Sequence, residues 1–147
     1  MLASTASFAA KPAHNFTLPT SNGQIKLQDY RGKVVYLDFW ASWCVPCRHS
    51  FPWMNDMQKK YKGKGLEVVT INMDKERALA DKFLKKHPAN FVVAYDPEGA
   101  TAESYGVMGM PSSYIIDRKG NIIYQHIGFR EKTKSKLEAH ISSALTN

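Results

Sequence analysis

The sequence is poor in cysteine: 147 residues carry only two. That excludes a disulfide framework, and a chain this long does not need one, because a domain of roughly 150 residues buries most of the surface its unfolded form exposes. Long apolar runs are absent as well, since no window approaches the roughly 18 uninterrupted apolar residues of a membrane helix. Internal repeats and low-complexity tracts are missing, and 44% hydrophobic residues is an ordinary globular composition. Acids are in the minority, 13 Asp and Glu against 20 Lys and Arg, for a net charge of +7. The basic residues are dispersed over three groups: Lys59, Lys60, Lys62 and Lys64; Lys82, Lys85 and Lys86; and Arg130, Lys132, Lys134 and Lys136. Each group lies on or beside a predicted helix, interleaved with polar positions, and reads as a solvated helical face, with an acidic partner protein or a membrane surface as the other use. No nucleic-acid-binding motif accompanies the charge, so no nucleic-acid partner is expected.

The start of the chain, Met1-Leu2-Ala3-Ser4-Thr5-Ala6-Ser7-Phe8-Ala9-Ala10, is small and faintly apolar. It lacks the positive segment and the long apolar core of an intact signal peptide, and reads as a flexible tail over residues 1–14, either the stub left after an export signal is removed or a disordered tail of no significance. Phe16-Thr17-Leu18 and Ile25-Lys26-Leu27 flank Thr20-Ser21-Asn22-Gly23, which predicts a short hairpin. Residues 33–40 are nearly continuous apolar sequence, as in a central strand covered on both faces. Apolar residues at helical spacing (Phe51, Met54, Met57, Tyr61) predict a helix over 45–61, broken after Gly63 and Gly65. A second buried strand follows at 66–73, a helix at 75–87 stopped by Pro88, and a short strand at 91–95. A turn at Asp96-Pro97 leads into a short helix through Tyr105. Strands at 113–117 and 122–127 are joined by the hairpin signal Asp117-Arg118-Lys119-Gly120-Asn121, and residues 131–145 close the chain as a helix. This order describes a layered α/β domain with parallel strands early and an antiparallel hairpin late.

Both cysteines sit in Trp43-Cys44-Val45-Pro46-Cys47, immediately after the 33–40 strand. A thiolate attacks disulfides, and an isolated thiol is mostly protonated at neutral pH. At the junction of strand and helix, unpaired backbone N–H groups and the helix dipole stabilise the Cys44 anion. Pro46 early in the helix forfeits no hydrogen bond. Cys47, three positions on, faces back and can resolve a mixed disulfide, so Cys44 is expected to be the exposed nucleophile and Cys47 the more buried resolving thiol. A structural role fits poorly, because a disulfide enclosing two residues restrains the unfolded chain little. Structural zinc would want four ligands, and no second C-x-x-C or H-x-x-x-H exists. A thiolate pair can also hold Cu(I), with help from Met108 or Met110.

Asp38 interrupts the apolar strand a few residues before Cys44. A buried carboxylate is costly without a partner or a purpose, its pKa should be raised, and it could take the Cys47 proton directly or through a water. The alternative is a structural carboxylate satisfied by neighbouring hydroxyls or by a lysine such as Lys64. Met110-Pro111 precedes the 113–117 strand. A proline there cannot donate to the ladder; on spacing alone it is an ordinary edge proline, whereas a cis bond beside the dithiol would leave the Met110 backbone free for an extended partner segment.

Together, Asp38-Phe39-Trp40-Ala41-Ser42-Trp43-Cys44-Val45-Pro46-Cys47-Arg48 and Gly109-Met110-Pro111-Ser112-Ser113 resemble the thioredoxin superfamily. The chain looks like its TlpA/ResA-type branch of exported, often membrane-tethered thiol-disulfide oxidoreductases. The features pointing there are the N-terminal hairpin with Asp29-Tyr30-Arg31-Gly32-Lys33, the strand-helix unit inserted at 72–95, and Val45-Pro46 between the cysteines. The resemblance implies a thioredoxin fold, a mixed central sheet flanked by helices with an N-terminal hairpin and a central strand-helix insertion, occupying 15–147. It implies catalytic roles for Cys44, Cys47 and Asp38, substrate contacts at Trp43, Pro46, Met110 and Pro111, and a cis Pro111. The sequence departs from the branch at one position: ResA-like members carry a glutamate three residues after the second cysteine and often an Asn at the strand acid. Here those positions are Ser50 and Asp38, so proton handling should rest on Asp38.

The resulting expectation is a monomeric periplasmic or extracytoplasmic reductant of protein disulfides without a cofactor, tethered to a membrane in full-length form. It would be re-reduced by a membrane thiol donor and serve cytochrome c maturation, copper-site assembly or sporulation proteins. A DsbA-type oxidant, whose potential would lie toward the upper end of roughly −270 to −120 mV, and a Cu(I) metallochaperone are the alternatives. No Pro-x-x-x-Thr-x-x-Cys pattern supports a peroxiredoxin.

Overall fold

The computed structural model describes residues 11–147. Eight strands and four α-helices alternate along it: β1 (Lys11–Pro12), β2 (Thr17–Thr20), β3 (Gly23–Lys26), β4 (Val34–Trp40), α1 (Val45–Tyr61), β5 (Leu66–Asn72), α2 (Arg77–Lys86), β6 (Val92–Tyr95), α3 (Ala100–Tyr105), β7 (Ser112–Ile116), β8 (Asn121–Ile127) and α4 (Lys134–Leu145). β2 and β3 form the expected hairpin as a small sheet of their own; the other six strands form one sheet in the order β1-β8-β7-β4-β5-β6. β4, β5 and β6 run parallel, and β7 returns antiparallel to β4, so the mixed α/β architecture of a thioredoxin fold is present.

β4 is buried at all seven positions. It bonds β5 along one edge and β7 along the other, and its alternating side chains enter two separate cores. Val34, Tyr36 and Trp40 join the cluster under α1, α2 and α4, while Val35, Leu37 and Phe39 join that under α3 and the hairpin. Continuous apolar sequence was therefore the correct sign of a strand covered on both faces.

α1 and β5 are locked by Gln58, whose Oε1 accepts from the Val68 N–H (2.7 Å) and whose Nε2 donates to the Leu66 carbonyl (3.2 Å). β6 pairs only with Val69 to Asn72, so this side chain continues the ladder where the neighbouring strand is too short. The late hairpin turns on Asp117, whose Oδ1 accepts from the Lys119 and Asn121 N–H groups, with Gly120 at φ +91° supplying the left-handed residue.

Besides shifts of one to three residues at several element ends, two boundaries and the placement of Pro111 differ from the sequence expectation. The first ten residues of the expected 1–14 tail lie outside the described residues, but Lys11 and Pro12 pair with Ile122 and Asn121, and Ala13 is buried. A two-residue strand has no periodicity to read and is made by its partner. α2 begins at Arg77 because Asp74 is tied back toward the preceding loop, leaving Lys75 and Glu76 in a bend. Finally, Pro111 does not stand on a sheet edge: it precedes β7, an interior strand between β4 and β8.

Replacing Gln58 by Leu strands a buried N–H and a buried C=O. We expect it to destabilise the fold by about 2–3 kcal/mol, measurable by urea denaturation.

Candidate active site

The site is assembled where β4 ends. Residues 41–44 form the loop after β4, and Asp74, beyond β5, holds it: the Asp74 carboxylate accepts from the Ser42 N–H (2.9 Å) and the Ser42 hydroxyl (2.7 Å). Asn72 completes the clamp, donating to Asp74 Oδ2 at 2.8 Å and accepting from the Asp74 N–H at 3.0 Å. This clamp has no counterpart in the sequence expectation. Its one visible signal was a polar pair, Asn72 and Asp74, closing an apolar strand.

Cys44 is the N-cap residue of α1, with extended backbone (φ −88°, ψ 110°), and Pro46 stands in the first turn, where a missing N–H is harmless. No side chain caps this end and no acid lies in the first turn, so the N–H groups and the dipole face Cys44 unneutralised. Cys44 and Cys47 form a disulfide with Cα atoms 5.3 Å apart. Cys47 is fully buried and Cys44 is 4% exposed, less open than expected because the disulfide turns its sulfur toward Cys47 and the core. Two apolar side chains beside it are exposed, Trp43 at 66% and Val45 at 56%.

Asp38 is buried, on the face of β4 shared by Tyr36, Trp40 and the α1 cluster that contains Cys47. Ser113, its register partner on β7, donates to Oδ1 at 2.9 Å; Oδ2 has no hydrogen-bond partner among the described residues. Lys64 lies in an exposed 3-10 turn over the Tyr61 ring and does not serve it. Desolvation pushes the Asp38 carboxyl up to about 8, against the smaller opposing effect of the Ser113 hydroxyl. Ser50, at the position of the ResA-type glutamate, is buried and spends its hydroxyl on the Cys47 carbonyl (3.0 Å).

The register that sets Ser112 opposite Phe39 brings Pro111 beside the end of β4. The Met110-Pro111 bond is cis and Pro111 is buried. Met110 packs against the α1 cluster, its backbone N–H and C=O make no bond to another described residue, and Met108 is 92% exposed. Among the described residues no three His, Cys, Asp or Glu side chains gather as a metal site.

Chemically, the site offers a two-electron dithiol-disulfide couple, a helix terminus that favours an anion at Cys44, and a desolvated carboxyl that exchanges a proton near neutral pH. Fold and site together define a thioredoxin-fold thiol-disulfide oxidoreductase. A family model described as Redoxin matches residues 8–141. A thiol-disulfide oxidoreductase ResA from Bacillus thuringiensis subsp. konkukian is 38% identical over 132 residues, covering 89% of this chain and 75% of that protein. ResA from Bacillus subtilis is 35% identical over 112 residues, covering 76% of this chain and 63% of the relative. A crystal structure from Chlorobium tepidum, described as the thiol:disulfide interchange protein DsbE, superposes with a TM-score of 0.91 at 55% identity, covering 92% of this chain and 96% of that one. The chain belongs to the Redoxin family of the thioredoxin superfamily.

Because the native Asp38 carboxyl titrates near 8 and an unfolded one near about 4, the native state holds a proton that the unfolded state has lost between those values. Stability therefore falls as pH rises through that window. Asp38→Asn removes the loss: it should exceed the parent by on the order of 2 kcal/mol or more near pH 8, the gap closing toward pH 4, in urea titrations of the oxidised proteins.

Proposed function

We propose that this protein reduces disulfides of extracytoplasmic client proteins through Cys44, Cys47 and Asp38. The observation that carries the reading is Asp38 Oδ2, a buried oxygen without a hydrogen-bond partner among the described residues, on the core face that also receives Cys47. In the reduced protein the Cys44 thiolate, favoured by the uncapped start of α1, attacks a client sulfur. The client S–S bond breaks, its other sulfur leaves as a thiolate that takes a proton from water, and a Cys44–client mixed disulfide forms. Asp38, deprotonated, takes the Cys47 proton; the Cys47 thiolate attacks Cys44 Sγ and expels the client thiolate, which is then protonated. Two electrons reach the client, and the Cys44–Cys47 disulfide is the product. A thiol donor at the membrane would return those electrons.

Trp43, Pro46, Met110 and Pro111 are proposed to contact the client: Trp43 with exposed apolar area, and Met110 with a backbone free to pair with an extended segment. The relatives' names, thiol-disulfide oxidoreductase and thiol:disulfide interchange protein, support exchange with disulfides. The extracytoplasmic setting and a role in cytochrome c maturation or a similar assembly reaction are part of the proposal and rest on the resemblance to the TlpA/ResA branch. No helix among the described residues is long and apolar enough to cross a membrane.

Reduced Cys47→Ser, mixed with a disulfide-bearing client, should accumulate a covalent mixed disulfide on non-reducing gels. Cys44→Ser should trap nothing; the reverse result would exchange the two roles. In single-turnover kinetics the resolution rate should rise with pH through Asp38 ionisation near 8, and Asp38→Asn should lower it about 100-fold at pH 7 and flatten the profile. An unchanged rate would leave Asp38 a structural residue.

A further inference from the structure

α2, in the inserted unit, turns one stripe of its surface toward the start of α1. Leu79, Lys82, Phe83 and Lys86 recur at helical spacing, and with Ser42 and Arg48 they line a cavity of about 310 Å3. That is the small end of the ligand-pocket range, roughly 300–1,000 Å3, and it suits side chains of a partner better than a cofactor. Ser42 lies two residues before Cys44 and Arg48 directly follows Cys47, so the cavity opens beside the disulfide. Its floor is apolar, with Phe83 buried against Trp40 and Phe51 and Leu79 left 45% exposed. Its rim is positive: Arg48, Lys82 and Lys86 are exposed, and none forms an ion pair among the described residues. No acidic side chain lines it, and Asp81 of the same helix is engaged by Arg77 at 3.4 Å.

We infer that this groove is a specificity subsite for client polypeptides, binding an extended segment that sets acidic residues on Arg48, Lys82 and Lys86 and an apolar residue on Leu79 and Phe83. The inference rests on the proposed exchange with client proteins and adds which clients react. Three unbalanced cations around an apolar floor complement a segment of mixed acidic and apolar residues. The placement beside Cys44 means that occupancy of the groove delivers a neighbouring client disulfide to the thiolate. Opposite charge steers encounter as well as holding the bound segment, so the preference should appear in kcat/KM and weaken with salt.

Three peptides test it, each with one intramolecular disulfide and flanks of Glu and Leu, Gln and Leu, or Lys and Leu. At low ionic strength the reduced full-length protein should reduce the acidic peptide about 10-fold faster in kcat/KM than the Gln peptide, and the Lys peptide more slowly still. Lys82→Gln/Lys86→Gln should collapse the acidic-to-neutral ratio toward one. Lys62→Gln/Lys119→Gln, which changes net charge equally at the opposite end of the sheet, should keep it. Failure to reduce any peptide fails the proposed function and the groove with it; reduction of all three at one rate fails the groove alone. A ratio lost equally in both double variants assigns the effect to the overall charge of +7 and overturns the subsite. Binding to phosphatidylglycerol vesicles that only the groove variant loses, with the peptides reduced alike, assigns the cations to a lipid surface and overturns it too.

Discussion

Everything at this site follows from burying one strand completely. β4 is hydrogen-bonded on both edges and covered on both faces, so any polar group within it is removed from water. The one carboxylate it carries is therefore displaced far up its titration range, and no compensating cation is supplied. The same strand delivers the chain to the start of α1 at a fixed place. Through the β7 register it sets Ser113 against Asp38 and Pro111 beside the cysteine loop. Buried carboxyl, dithiol and proline loop are consequences of one strand's position rather than three independent features.

The two cysteines are both buried and a helical turn apart, but only Cys44 stands at the helix start. Cys44 caps a helix whose first turn has no acid and no side-chain cap, which favours its anion. Cys47 is enclosed in the core, where desolvation disfavours charge. A thiol so placed does not ionise readily unaided, and a nearby base whose own proton affinity has been raised toward neutrality is what such a step requires. Ser50 spends its hydroxyl on the Cys47 carbonyl, and Asp38 is the carboxyl on that face, which is why the proposed mechanism assigns it the proton.

What the sequence revealed and what it hid divide along contact distance. β4, the C-x-x-C helix start and the Asp117 turn were legible because each is set by neighbours within a few residues. Asp38 was legible as an anomaly, a charge in an apolar run, but its hydroxyl partner Ser113 lies 75 residues away and no local pattern names it. The Ser42–Asp74 clamp spans 32 residues, and β1 exists only because β8 offers it an edge. Lys82 and Lys86 read correctly as a solvated helical face. That they face Arg48 across a cavity is a product of the fold, because α1 and α2 meet only once Phe83 packs on Trp40 and Phe51.

That packing gives the inserted helix a double use. Two buried residues, Ala80 and Phe83, anchor α2 to the core beneath the cysteine loop, the Phe83 ring centroid lying 4.9 Å from those of both Trp40 and Phe51. The anchor fixes the helix rotation, and rotation decides where Lys82 and Lys86 point, since residues three and four apart share a face. Core packing thus positions surface charge: if the groove selects clients as inferred, altering two exposed side chains would change which clients react while Cys44, Cys47 and Asp38 stay as they are. On the proposed reading, chemistry rests with the buried strand and selection with the helix packed above it, so the two can vary separately.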